Sequence, residues 1–164
     1  MSSYDELSQL LDSVDAKNVS DLQPRTITFS QQDDQLVVEI VALDSMSCRA
    51  KSVRLMTTRF EQSATSELQQ VASRLAAQLI YLLEPISLVE VDNDRVAVQL
   101  RSKPPFRDEG GTQYYELLVS PTGLSLCRYR GISGEPRQSM AMGFTREILV
   151  RLVDDFLCAV VPVS

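Results

Sequence analysis

The chain contains no histidine among its 164 residues, and this absence removes several classes of site. Ser-His-Asp and Cys-His nucleophilic sites, histidine general bases and zinc sites with histidine ligands all require that side chain. The three cysteines, Cys48, Cys127 and Cys158, are odd in number and too far apart for a structural zinc site. We therefore expect no bound metal, no cofactor and no catalytic residue, and we expect the protein not to be an enzyme.

Long apolar runs are absent as well. No apolar run, Leu79–Leu83 included, approaches the roughly twenty residues that a helix needs to cross a bilayer. Residues 1–15 are acidic and lack the basic start and apolar run of a signal peptide. We expect a cytoplasmic protein with no membrane partner, and its length and apolar content predict a single compact domain over residues 1–164.

Apolar residues recur at helical spacing in three segments. A short helix is predicted over residues 3–15, followed by a polar connector over residues 16–24. The central helix is predicted over residues 58–84 and is the longest of the three. Thr58 and Glu61 have the spacing of a capping box at its start, and Pro85 ends the helical pattern. Since Ala76–Leu83 is apolar on almost every side, we expect its last two turns to be buried on more than one side.

Alternation of apolar and polar residues predicts seven strands, in two sets around the central helix. These strands cover residues 25–30, 36–43, 48–57, 86–91, 95–102, 112–119 and 124–130. Segments 103–111 and 131–140 are predicted to be loops, and the turns between neighbouring strands are short enough for hairpins. We therefore predict an α+β fold with antiparallel sheet, in the order α-βββ-α-ββββ-α, with the C-terminal helix packed on the sheet.

Charge is unevenly distributed along the chain. Residues 1–94 contain seven Lys and Arg against fifteen Asp and Glu, whereas residues 95–151 contain nine against five. The basic residues at strand ends and in the two loops form our candidate site: Arg101, Lys103, Arg107, Arg128, Arg130 and Arg137. An anionic partner could dock there, because guanidinium groups bind carboxylates and phosphates. Alternatively, these residues protect strand edges and keep the protein soluble.

Charge also bears on nucleic-acid binding and on the reactivity of one cysteine. Nucleic acid is not expected, because a sequence pI near 4.7 opposes the attraction on which such binding depends. Cys127 lies beside Arg128, which could stabilise a reactive thiolate, but an ordinary strand cysteine is the alternative because no histidine lies nearby.

The last helix, which Thr145 opens, has a wide apolar stripe. The stripe consists of Ile148, Leu149, Leu152, Val153, Phe156, Leu157 and Val160. A sheet that also carries the central helix offers limited cover, so a homodimer that buries part of this stripe is one hypothesis. In the alternative, both helices lie side by side on one sheet within a monomer.

The sequence favours a non-enzymatic protein-binding or adaptor module, whose partner is another protein or a second copy of the chain. The order of elements, the small size and the acidity resemble those of the small acidic chaperones of secretion systems, which implies a chaperone-like module as one alternative. A domain that binds a small anionic ligand, or acts on it, through the arginine-lined loop face is the other alternative.

Overall fold

Ten strands form one antiparallel sheet in the computed structural model, which describes residues 3–14 and 18–161. The strands are β1 (Arg25–Gln31), β2 (Asp34–Leu43), β3 (Ser47–Thr57), β4 (Ile86–Asp92), β5 (Ala97–Ser102), β6 (Phe106–Asp108), β7 (Gly111–Ser120), β8 (Gly123–Gly131), β9 (Gln138–Met140) and β10 (Met142–Thr145). The main path through the sheet is β1-β2-β3-β8-β7-β5-β4. The predicted α+β class with antiparallel sheet is confirmed.

The described residues also form three α-helices, the second of which continues into a short 3₁₀ turn. They are α1 (Ser3–Ser13), α2 (Thr65–Gln78), the 3₁₀ turn (Leu79–Leu82) and α3 (Arg146–Val160). No helix among the described residues is long and apolar enough to span a membrane. The last residue of the predicted helix over residues 3–15, Asp15, lies outside the described residues. In the predicted connector, residues 18–24 form neither strand nor α-helix.

The helices cover only one face of the sheet. Helix α1 contacts β1 and α3, α2 contacts β4, β5 and β7, and α3 contacts β3 and β10. Alternate strand residues on that face are buried with the helices in one hydrophobic core, including Leu36, Val53, Leu117 and Leu126. We call the other side of the sheet the open face, because none of the described helices packs on it and most of its side chains are exposed or half-buried.

The three shortest strands were not predicted. Strand β6 lies in the predicted loop 103–111, and β9 lies in the predicted loop 131–140. Strand β3 pairs with β8 over Ser52–Met56 but with β10 over Ser47–Ala50, and the far end of β8 pairs with β9. The segment from β9 to β10 therefore lies between β3 and β8 where these two strands separate, with β9 paired to β8 and β10 paired to β3. Strand β10 leads directly into α3.

The central helix is shorter than predicted, and its expected capping box at Thr58 does not form. Asp34 at the start of β2 accepts hydrogen bonds from Thr57 Oγ1 at 2.7 Å and from Arg59 Nε at 3.1 Å. These bonds hold residues 57–59 against β2, so α2 begins one to two turns later. There Glu67 Oε1 accepts the Ala64 N–H at 3.1 Å, as a capping glutamate does.

The last helix begins where the sequence predicts. Thr145 Oγ1 accepts the N–H of Ile148 at 3.1 Å, which is the usual bond of an N-cap threonine. Most of the predicted stripe is buried, and its remaining members, Ile148 and Leu157, pack partly against the core. Helices α2 and α3 contact each other above the same sheet. This is the side-by-side arrangement of our alternative, in which one chain buries most of the stripe. The homodimer stays a prediction.

Candidate functional site

The six predicted site residues do not form one cluster. Arg101 and Arg137 meet on the open face, where both bind Glu116. Lys103 and Arg107 are exposed and make no ion pair with any described residue. The predicted basic face is therefore divided between different parts of the sheet.

Arg128 and Arg130 lie away from that pair, because neighbouring strand residues alternate between the two faces. Arg128 points to the helix-covered side, where its Nη2 lies 2.9 Å from Glu84 Oε2 and its guanidinium lies 4.5 Å from the centre of the Tyr115 ring. Arg130 pairs with Asp108 at 2.8 Å. Both arginines tie strands and loops together within the chain.

Glu116 on β7 is the centre of the polar cluster on the open face. Its Oε2 accepts hydrogen bonds from Arg137 Nη1 at 2.6 Å, Gln99 Nε2 at 2.8 Å and Arg101 Nε at 3.3 Å. Burial raises the pKa of the Glu116 carboxyl, but the bonds from Arg137 and Gln99 and the two nearby positive charges outweigh burial, so its pKa lies below the ordinary value. Glu116 is therefore ionised at neutral pH.

Two tyrosines extend this cluster through cation–π contacts. The Arg137 guanidinium lies 3.8 Å from the centre of the Tyr129 ring, and that of Arg101 lies 4.9 Å from the centre of the Tyr114 ring. The two tyrosine rings are neighbours, with centres 6.1 Å apart. Because Arg137 belongs to the loop between β8 and β9, its contacts with Glu116 and Tyr129 fasten that loop onto the open face.

A groove runs along β8 beside this cluster, and we call it the β8 groove. The floor is made by β8 residues that have short side chains or none. The walls are made by longer side chains of β3 and β7, and an aromatic ring and a guanidinium close one end. These residues are Gly123, Ser125 and Cys127 on the floor, Arg54, Met56, Glu116 and Leu118 on the walls, and Tyr129 and Arg137 at the end. The groove encloses about 600 Å³.

Cys127 lies on the floor of the groove, and its neighbour there is not the one expected from the sequence. Arg128 points to the opposite face. The positive charge that acts most on the pKa of the Cys127 thiol is that of Arg54 on β3. Burial raises the pKa of the Cys127 thiol, although the Arg54 charge opposes this shift. The thiol is therefore protonated at neutral pH, which disfavours the reactive thiolate.

The groove has an excess of positive charge. Arg101 and Arg137 share the single carboxylate of Glu116, and Arg54 makes no ion pair with any described residue. The groove is thus lined by two guanidiniums, those of Arg54 and Arg137, and by the one carboxylate of Glu116, which Arg101 also binds from beside the groove. No pattern in the sequence pointed to Arg54, because it lies in the acidic part of the chain and reaches this groove only through the pairing of β3 with β8.

Positive charge continues along β3 beyond the groove. Arg49 and Lys51 line a second cavity of about 360 Å³, together with Asp21 and Ser139.

Among the described residues, no group of three or more His, Cys, Asp or Glu side chains is placed to hold a metal ion. Comparisons with protein-family models, with curated proteins and with solved structures found no match to this chain.

Glu116→Gln is expected to destabilise the protein by about 1–3 kcal/mol at neutral pH, because charge-assisted hydrogen bonds to two arginines are lost. A carboxyl whose folded pKa is lowered stabilises above its unfolded pKa, and this stabilisation is lost as pH falls through the folded pKa. The difference from wild type should therefore shrink as pH falls below about 4.5, which urea unfolding at several pH values can measure.

The matched control for this measurement is Glu135→Gln, since Glu135 is exposed in the neighbouring loop and makes no ion pair with a described residue. Its difference from wild type should be small and independent of pH. A stability difference for Glu116→Gln that stays constant down to about pH 3 would contradict the assigned ion pairs.

Proposed function

We propose that this protein is a non-enzymatic protein-binding or adaptor module, and that its partner binds on the open face of the sheet. The observation that carries the proposal is the uneven covering of the sheet: within residues 3–14 and 18–161, the three helices all pack on one face. On the open face, Met56 and Leu118 are 48% and 37% exposed beside a groove of positive charge. Exposed apolar side chains next to uncompensated charge are typical of an interaction surface.

The chemistry of the groove supports binding rather than catalysis. Its thiol, Cys127, has a raised pKa, and its carboxylate, Glu116, is held by two arginines with a lowered pKa. A general base works best with a pKa near the working pH, and a cysteine nucleophile needs a lowered one. Neither group has the required shift, whereas both sit in a groove whose walls can contact a partner.

Binding of a small anion is the second candidate, and it is favoured by the meeting of Arg101 and Arg137 at one point. Their existing partner, Glu116, would compete with any added anion at that point. A thermal-shift screen of anionic metabolites separates the two candidates: a specific ligand raises the melting temperature through linkage, and a module that binds only proteins gives no such rise.

Photo-crosslinking tests the preferred proposal. Benzoylphenylalanine is placed at Met56 on the wall of the groove or, as the control, at Gln70, which is exposed on α2. After irradiation in native cell extract, we expect a specific protein partner to crosslink at position 56 and not at position 70. Crosslinking of the same partner at position 70 alone, or no specific crosslink at position 56, would contradict the proposal.

A further inference from the structure

The dimensions of the β8 groove suit an extended chain. From Gly123 to Tyr129 the floor follows six residue steps of a strand, and at roughly 3.3 Å per step this is about 20 Å. An extended segment of about six residues has the same length. The floor side chains are short while the walls are long, so a segment lying along β8 would be flanked on both sides by side chains of β3 and β7.

The walls present positive charge and apolar surface at neighbouring positions. Arg54 and Met56 are two residues apart on β3, so they point to the same face. Across the floor, Ser125 pairs with both Arg54 and Leu118, which places a guanidinium and an apolar side chain on opposite sides of one floor residue. Arg54 has no carboxylate partner among the described residues, and its charge acts on the Cys127 thiol, which is only a weak acceptor.

We infer that the β8 groove binds an extended segment of a partner protein in which a carboxylate side chain stands next to an apolar one. The carboxylate pairs with Arg54, and the apolar side chain rests on Met56 and Leu118. This inference rests on the proposed function, since it names the chemistry of the partner at the same face. Charge complementarity selects this occupant. Two guanidiniums, those of Arg54 and Arg137, line the groove against the single carboxylate of Glu116, and Arg101 beside the groove already binds that carboxylate.

The same charges argue against other occupants. A basic segment would place like charges against Arg54, Arg101 and Arg137, which disfavours binding. A nucleic acid would meet the favourable groove but also the net charge of −6 of the whole chain. A second copy of this chain is an outcome that the experiment distinguishes.

The test uses the full chain as bait for a phage library of random octapeptides, with measured affinities for the selected peptides. We expect the enriched sequences to combine Asp or Glu with a neighbouring apolar residue, and their affinity to fall as ionic strength rises. Arg54→Glu should weaken their binding at least about tenfold. Arg74→Glu, the same charge change on the exposed surface of α2, should leave it unchanged.

Arg54→Met is measured in parallel, since it keeps an unbranched apolar stem and removes the guanidinium without reversing the charge, and it too should weaken binding. Selection of basic or uncharged sequences, no selection at all, or affinities that survive both Arg54 substitutions would overturn the inference. Light scattering that shows a dimer dissociated by Arg54→Glu would assign the groove to a second copy and would also overturn it. If a partner still crosslinks at position 56 in any of these cases, the proposed function stands while this inference fails.

Discussion

Phe156→Asp is expected to unfold the protein. Phe156 lies on α3 and is fully buried, with 0% of its surface exposed, in the core between the helices and the sheet. Removing a buried phenylalanine side chain alone costs about 3–5 kcal/mol, and a carboxylate placed there must also lose its hydration. The sum approaches the roughly 5–15 kcal/mol that stabilises a typical domain. Circular dichroism should show loss of the native spectrum at room temperature.

Cys158→Asp provides the control, because Cys158 is exposed two residues further along the same helix. This change introduces the same charge without burying it and should cost less than about 1 kcal/mol. The outcome that would contradict our assignment is a folded Phe156→Asp protein whose mass in light scattering is half that of wild type. That result would mean that the stripe of α3 lies at a subunit interface, as the dimer hypothesis required.

The local features of the last helix could be predicted from the sequence because they depend on neighbours in the chain. Thr145 caps α3 as its position before the apolar stripe indicates. The hairpin of β7 and β8 turns between Ser120 and Gly123, where Gly123 adopts φ +144°. Such signals are contained within a few residues, so a single sequence carries them.

The start of the central helix could not be predicted in the same way. Thr58 and Glu61 have the right local spacing, but Asp34, more than twenty residues earlier, binds Thr57 and Arg59 and keeps this segment on the sheet. The short strands β9 and β10 likewise depend on the separation of β3 from β8. Tertiary contacts overrode local preference in both places.

The candidate site shows the same division. Arg101 and Arg137 were identified from composition and position, but the central residue, Glu116, was not, because a lone glutamate in an apolar strand has no distinctive spacing. Arg54 joins the site only through the pairing of β3 with β8, which hairpin signals along the chain do not reveal. Successive strand residues point to opposite faces, which explains why the side chains of Arg128 and Arg130 do not lie on the open face.

Leu79→Ala is expected to cost about 2–5 kcal/mol of folding stability, because it removes packed methyl groups from the core. Leu79 begins the 3₁₀ turn after α2 and is 1% exposed, whereas the next residue, Ile80, is 75% exposed and Leu83 is 88% exposed. The expectation that this segment is buried on more than one side was therefore wrong, since only one side of the turn faces the core.

This contrast supplies a matched pair for the measurement. Ile80→Ala removes a side chain of the same size from the same turn, and it should change the free energy of unfolding by less than about 0.5 kcal/mol. Urea unfolding of both variants measures the difference directly, provided that the slope with denaturant is unchanged. Equal effects at the two positions would mean that the turn does not hold the orientation described, and a loss below about 0.5 kcal/mol for Leu79→Ala would mean that the central helix is peripheral to the core.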